Sequence, residues 1–553
     1  MVGPSGPPPG FCLAIKCAVR NGGGSAEALT PLRRTDMNIL GIGGVLGDAA
    51  AAIIQDGRIA AAVEEAKLTR RPLPGRLPEA AVRECLSIAG IAAEDVDYVA
   101  LARPLPPGSG MPIALRMFPK ARVVSVDHHA AHAAAAYLTS PFEHATVITL
   151  DREGDLRCGG KWRGEANRLA LEEEILYPDS IGELYGRVTE LLGLQRKADE
   201  HRVQWLSAMG EPKHHKVFAA IAGHHAIDQS YFDSGRQGHG GFGVKFFEEL
   251  GLDTRRELKP RERADIAASM QKTLEDYVIR LAGNAENVCL GGGVAWNALL
   301  ISALENSGNF KGVYAQPAAG NAGTALGAAL SVWNEGLGET KRVDGGGYCF
   351  GPSYTASEIK QVLENCKLRF KVLATTPEMI GAAVDQLKEN RIVAWMQGRM
   401  EFGPRALGNR SLLASPQDPY STENLNTFIK HREAVRKFAA SVPAELAAEY
   451  FIAGANARHL ATVGRVRAAY RDQFRGAILA NDLVRVHTVS KEDNPLYWQL
   501  LQAFGEKTGL PVLYNTSFNL FGEPLVCTPR DAVRSFYSSG VDAMVVGNFL
   551  LEK

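Results

Sequence analysis

From Asn38 onward the chain alternates short apolar runs with turn residues. Ile39-Leu40-Gly41-Ile42 is followed by Ala49 to Ile54, the pair Asp56-Gly57, and Ile59 to Val63. Asp-Gly between two apolar runs predicts a hairpin. A helix is expected near Leu77 to Ala89 and a strand near Val96 to Leu101. A second unit of the same kind starts at Ala145 to Leu150, ends its first strand at Asp151 and is expected to turn at Gly154. Two strand–turn–strand units predict an α/β fold built by duplication.

Further along, Ile266, Met270, Leu274, Tyr277, Val278 and Leu281 recur at helical spacing, so Asp265 to Leu281 is an expected amphipathic helix. The strand Val288-Cys289-Leu290 then runs into Gly291-Gly292-Gly293-Val294-Ala295-Trp296-Asn297. Glycines between a strand and a helix either let backbone amides approach a phosphate or form a plain tight turn. A second small-residue segment, Ala318 to Leu330, reads as a loop entering a tightly packed helix. The polar, glycine-rich stretch Asn334 to Gly347 marks a domain boundary. The division expected is an extension over 1–36, a first domain over 37–344 and a second over 345–553. In the second, helices are expected over Ala356 to Glu364 and Pro377 to Asn390, then a strand over Ile392 to Met396.

Composition narrows the function classes. The 553 residues suggest roughly two to four domains. Lys plus Arg equals Asp plus Glu. That balance argues against a nucleic-acid partner, including a tRNA-modifying role. The eight cysteines form no C-x-x-C pair, which fits free thiols in a reducing compartment and a cytoplasmic location. No apolar run approaches the ~18 residues of a membrane span. Residues 1–36, rich in Pro, Gly and Arg, are read as a disordered extension. A weak export signal is the alternative.

Four clusters carry candidate chemistry. In Asp127-His128-His129-Ala130-Ala131-His132 an Ala-rich helix puts His128 and His132 at i and i+4, where they either bind one metal or sit in polar packing. Asp151, closing a strand, is a plausible third ligand. In Arg399-Met-Glu-Phe-Gly-Pro-Arg405-Ala-Leu-Gly-Asn-Arg410 three arginines sit among glycines directly after a strand. Their planar donor forks suit phosphate and carboxylate oxygens. Lys430 to Arg436, if helical, puts Arg432 and Arg436 on one face. It is otherwise a solvated charged helix. Finally Asn515-Thr516-Ser517-Phe518-Asn519 is dense in neutral hydrogen-bonding groups that either orient a small amide-like ligand or form a turn.

Taken together, His128-His129-x-x-His132, Gly292-Gly293-Val294-Ala295-x-Asn297, Gly398 to Ser411 and Asn515 to Asn519 resemble the NodU/TobZ-type O-carbamoyltransferases, in family order, from Met37 to the end. The resemblance implies a TsaD-like first domain of duplicated actin-like ATPase fold and a YrdC-like second domain. It implies that ATP and carbamoyl phosphate give carbamoyl adenylate. The carbamoyl group then passes to a hydroxyl of a small-molecule acceptor. The implied carbamoyl phosphate and ATP site is Arg405, Arg410, Lys430, Arg436, Arg485 and Asn515, with His128, Arg405 and Lys430 catalytic. Gly292, Gly293 and Asn297 are the implied nucleotide-binding residues of the first domain. His128, His132, Asp151 and Asn321 are the implied ligands of iron(II) or another divalent metal, and Mg2+ is expected with ATP. A homodimer is left open. An actin-like ATPase or phosphotransferase, and a non-catalytic carbamoyl phosphate- or nucleotide-binding protein, are the competing readings.

The chain departs from the family at several points. Asn321 stands where an aspartate ligand is usual, which lowers the expected metal affinity. Gly47-Asp48-Ala49-Ala50 replaces His-Asp-Ala-Ser. Asp199-Glu-His-Arg-Val-Gln-Trp205 replaces Gly-Glu-Tyr-Lys-Val-Met-Gly, and Arg152 follows Asp151 where Gly is usual. Lys437 replaces a proline and His487 a glutamine.

Overall fold

The computed structural model describes residues 15–17, 37–105, 114, 116–233, 235, 238–253, 256–343, 345–432 and 436–553. The expected extension lies outside the described residues except for Ile15–Cys17. That short segment pairs antiparallel with Val124 to Val126. Glu433, Ala434 and Val435 also lie outside the described residues.

Two sheets share one design. In the first, Asn38–Gly43, Ala50–Gln55 and Arg58–Glu64 form an antiparallel meander, and Tyr98–Ala102 and Arg122–Val126 add in parallel beside its first strand. In the second, His144–Gly154, Arg157–Glu165 and Arg168–Leu176 form the meander, and Asn287–Gly291 and Gly312–Ala315 add in parallel. Order and orientation match strand for strand, so the expected duplication is present. Asn38–Gly43 and Tyr98–Ala102 are buried throughout. Burial on both faces explains their continuous apolar sequence, without alternation. One detail differs. The second hairpin turns at Asp155-Leu156, both at positive φ, and Gly154 stays in the strand.

Between the sheets lie the helices His128–Leu138 and Gly323–Leu330. Every residue of both is buried. They join the two sheets in one apolar cluster running from Ile39 through Ala134 and Ala325 to Val147. Alanine side chains keep that layer thin. Enlarging one would cost about 1–3 kcal/mol in overpacking.

The third sheet has ten mixed strands between Lys371 and Glu552. Of the expected site residues, Arg410 opens the central strand Arg410–Ala414, Asn515 lies in Leu513–Ser517 beside Ala439–Pro443, and Arg485 lies in Leu483–Val489. The expected helices are present as Ala356–Asn365, with a Thr355–Glu358 capping box, and Thr376–Lys388. No helix among the described residues is long and apolar enough to cross a membrane.

The second domain is fastened to the first by buried polar contacts. Lys67 Nζ pairs with Glu64 at 2.8 Å and donates to the carbonyls of Glu401 (2.9 Å) and Gly403 (2.7 Å). Glu64 Oε1 accepts from the Gly403 amide at 2.8 Å. Burial raises the Glu64 carboxyl pKa, and Lys67 works against that. Arg70 donates to the Leu525 and Pro524 carbonyls.

Candidate functional site

The histidine cluster is set by its helix start. Asp127 caps the helix, accepting from Ala130 N at 3.1 Å, and is held by Arg103 (3.0 Å) and Arg157 (2.8 Å). His128 Nε2 lies 2.9 Å and His132 Nε2 3.0 Å from the same oxygen, Asp151 Oδ2. The ligand atoms of all three lie within 4.8 Å of one another. His128 Nδ1 is 3.1 Å from the Arg103 carbonyl, which favours Nδ1–H and leaves Nε2 as the ligating atom. His132 Nε2 is buried and makes no well-angled hydrogen bond. Burial opposes protonation of His128, but Asp151 outweighs it and holds that ring above its ordinary value. For His132 burial wins and lowers it. Asp151 is held well below the carboxylate range: burial raises it, and the two imidazoles more than reverse that. A Cβ on residue 154 would come within 2.1 Å of the His128 ring, so only glycine fits there. Two imidazole nitrogens and a carboxylate converging on one point, one nitrogen unsatisfied, fit a divalent transition metal.

The glycine loop serves this cluster. Gly292 sits at φ 85, and a Cβ there would collide with the Leu150 carbonyl. The Gly293 amide donates to Asp151 Oδ1. Asn297 caps the helix Ala298–Asn306, accepting from Leu300 N at 3.0 Å, and its Nδ2 donates to Gln271 at 2.8 Å. Of the expected nucleotide-binding residues Gly292, Gly293 and Asn297, the amide of Gly293 serves the Asp151 carboxylate and the side chain of Asn297 a helix start. Asn321 faces the Gly44–Asp48 turn: a Cβ on Gly47 would lie 3.3 Å from its Nδ2. Asp48 is close enough to Asp151 to feel its charge, and burial first, then that charge, raises its carboxyl pKa.

The arginine segment divides by role. Arg399 donates to the carbonyls of Gly351, Ala60 and Phe350. Arg410 is 1% exposed and donates to the carbonyls of Gln397, Gly398, Asn409 and Pro352. The two terminal nitrogens of Arg410 are engaged by backbone carbonyls, while its Nε is buried without a hydrogen-bond partner. Arg405 differs. With Arg432, Arg436, Arg485 and Asn515 it lines a cavity of about 160 Å3. Burial lowers Arg405 to about 10, with Arg436 adding to the effect. Arg485 falls well below its usual value from burial and from Arg405, Arg432 and Arg436. Its Nε and Asn515 Oδ1 are buried without a partner. Asn515 Nδ2 donates to the Ala406 carbonyl (3.1 Å) and to Ser441 (3.3 Å). Four guanidiniums held together against their own repulsion form a preorganised receptor for a polyanion.

Lys430 stands behind this cradle. Its Nζ donates to the Ser517 carbonyl (2.6 Å), the Asn519 carbonyl (2.9 Å) and Asn519 Oδ1 (2.7 Å), and burial pushes it well below an ordinary lysine. It pins the turn that borders the cavity. His431 at φ 44 ends the helical turn Leu425–Lys430, so Arg432 does not continue a helix begun there. A second cavity of about 280 Å3 adjoins the cradle at Pro404 and Ser517 and reaches Asp48, Glu64 and Lys67 in the first domain. A cavity of about 760 Å3 lies elsewhere, around Phe142, Tyr314 and His459, and is lined by none of the expected site residues.

Comparison with known proteins fits this pairing of sites. A model described as carbamoyltransferase N-terminus matches residues 112–330, and one described as carbamoyltransferase C-terminus matches 384–553. The chain belongs to the carbamoyltransferase family. It is 33% identical to an uncharacterised protein of Synechocystis, covering 93% of this chain and 97% of that one. It is 31% identical to nodulation protein NolNO of Sinorhizobium fredii, over 92% of this chain and 79% of that one. A 3'-hydroxymethylcephem-O-carbamoyltransferase of Amycolatopsis lactamdurans is 32% identical over 47% of each chain.

Three residues of this family member went unnoticed as site residues in the sequence. Asp48 was visible only within the Gly47-Asp48-Ala49-Ala50 turn, and Arg432 only as sharing a possible helical face with Arg436. Trp205, on the helix Glu200–Ser207 of the first domain, lines the arginine cavity of the second. Its only sequence signal is that a tryptophan replaces a glycine.

Proposed function

We propose that this protein is an ATP-dependent O-carbamoyltransferase with two coupled sites, an actin-like, TsaD-like transfer domain and a YrdC-like activating domain. One observation carries the reading: Arg405, Arg432, Arg436 and Arg485 converge on one small cavity that adjoins a second cavity reaching Asp48, whose carboxyl feels the charge of Asp151.

In the arginine cradle, carbamoyl phosphate and water would give carbamate and phosphate. A carbamate oxygen would then attack the α-phosphorus of ATP, an O–P bond forming as the α–β bond breaks and pyrophosphate leaves. Carbamoyl adenylate results. Clustered guanidiniums lower the repulsion between two polyanions and stabilise charge on the leaving pyrophosphate. Asn515, whose side chain is positioned by Ala406 and Ser441, would orient the carbamoyl amide. The adjoining cavity would carry the adenylate, which water would otherwise consume, toward the first domain.

There the acceptor hydroxyl would attack the carbamoyl carbon, its proton passing to Asp48 as the bond to AMP breaks. The products are a carbamate ester and AMP. His128, His132 and Asp151 would hold a divalent metal, iron(II) among the candidates, which when bound supplies Lewis-acid polarisation of an oxygen. Mg2+ would accompany ATP.

The test is ATP–pyrophosphate exchange, with and without carbamoyl phosphate, on the wild type and Arg405→Ala. Carbamoyl phosphate-dependent exchange that disappears in the variant supports the reading. Folded wild-type protein without exchange, or one releasing phosphate from ATP without AMP, defeats it.

A further inference from the structure

The arginine cradle does not end at its own walls. A groove of about 490 Å3 continues from it, within the roughly 300–1,000 Å3 usual for small-molecule sites. The two cavities share Trp205, Arg436, Lys437 and Leu479. Beyond that shared wall the groove is largely apolar, formed by Leu194, Leu206 and Met209, with Arg202 and Arg263 at its edge. Among the described residues, no carboxylate lines either cavity.

Two of the shared residues, Trp205 and Lys437, come from different domains. The fold brings both to the junction of groove and cradle. The indole is half-buried, and the Arg485 guanidinium lies 5.8 Å from its ring centroid. An aromatic face beside an apolar trough, opening onto four guanidiniums and an ammonium, is complementary to a flat ring that carries phosphates. A cationic or uncharged acceptor would gain nothing from walls of this charge.

We propose that the groove takes the aromatic base of a nucleotide, stacked on Trp205, while its phosphates reach past Lys437 into the arginine cradle. The helix Glu200–Ser207 of the first domain then completes the nucleotide site of the second. This rests on the cradle being a phosphate site.

The test compares binding of ATP and of inorganic pyrophosphate, which lacks a base, to the full-length protein by calorimetry. Stacking on one aromatic side chain predicts that Trp205→Leu weakens ATP by about tenfold or more while pyrophosphate affinity stays unchanged. Lys437→Met is expected to weaken both ligands. Trp205→Phe keeps an aromatic face and so keeps ATP binding, but loses the part of the tryptophan emission that ATP quenches in the wild type. This variant serves if Trp205→Leu does not fold. Parallel weakening of ATP and pyrophosphate in Trp205→Leu, unaltered ATP affinity there, or unaltered quenching in Trp205→Phe would each overturn the base site. A wild type that binds neither ligand defeats the cradle reading itself, a result distinct from a wild type that binds both and ignores Trp205.

Discussion

Glu401 and Arg410 organise the same loop, the Glu401 carboxylate taking backbone amides and the Arg410 guanidinium taking backbone carbonyls. Glu401 Oε1 accepts from the amides of Leu407 (2.8 Å), Asn409 (2.9 Å) and Arg410 (3.1 Å). The Arg410 guanidinium gathers four backbone carbonyls of the flanking turns. Between them Arg405 is left pointing into the cavity. Two charged residues are thus spent on shaping a loop that presents a third.

That division predicts opposite phenotypes for two arginines five residues apart. Arg410→Ala strands buried carbonyls and should lower stability by about 2–3 kcal/mol. Arg405→Ala relieves repulsion with Arg436 and Arg485. It should leave stability unchanged or raise it by up to about 1 kcal/mol, while abolishing pyrophosphate binding. Thermal unfolding paired with pyrophosphate titration separates the two. Equal destabilisation by both changes would show that Arg405 is structural.

The joint between domains gives a second prediction. Lys67 is 6% exposed and is bonded to Glu64 and to two carbonyls of the arginine loop. Lys67→Met leaves the Glu64 carboxylate buried without its cation, a loss of about 3–5 kcal/mol. Lys67→Met with Glu64→Gln should recover most of it. Denaturant unfolding of the single and double variants is the measurement, and no recovery in the double variant would rule out the pair as the cause.

How much of this was legible in the sequence depended on whether a residue's partners were local. The duplicated meanders were visible because their central strands, buried on both faces, are unbroken apolar runs. The His128–His132 pair was visible because helical spacing alone brings it together. Arg405 and Arg410 could not be told apart, because what separates them is which carbonyls the fold brings near, such as that of Pro352. Gly293 and Asn297 read equally as a phosphate loop or a tight turn, because an amide aimed at Asp151 and an amide aimed at phosphate use the same residue types. Trp205 lies more than two hundred residues before the arginines it covers, and no local pattern links them. The ten-stranded sheet escaped notice because several of its strands are only two or three residues long.

Glu335 supplies a pH-dependent prediction away from the chemistry. Burial raises its carboxyl to about 7 from 4.5. A carboxyl raised in the folded state binds its proton more tightly there than when unfolded. Its contribution is therefore fully present below pH about 4.5 and is lost as pH rises through about 7. Glu335→Gln removes that loss. At pH 8 the variant should be more stable than the wild type by about 1–3 kcal/mol, with the advantage vanishing by pH 4.5. Unfolding midpoints across that range check it, and parallel wild-type and variant profiles would refute it.

The histidine cluster makes the last prediction, and it separates a metal site from polar packing. In a packed pair without metal, the Asp151 carboxylate needs a proton on one ring to balance it, and replacing His132 by glutamine would retain a hydrogen bond. In a metal site the same change removes a ligand. Binding adds stability only to the form that binds, in proportion to the logarithm of ligand over its dissociation constant. Iron(II) or cobalt(II) should therefore raise the unfolding temperature of the wild type and bind at about one equivalent, as a 2-His-1-carboxylate set would. His132→Gln and Asp151→Asn should lose both effects. Asn321→Asp should tighten the metal if that side chain turns from the Gly47 loop toward the cluster, since it adds a charge to the ligand set. Elemental analysis together with thermal shift reads all four proteins. A wild type whose unfolding temperature ignores both metals would return the three residues to the role of a buried hydrogen-bonded triad that fixes the helix start against the strand end.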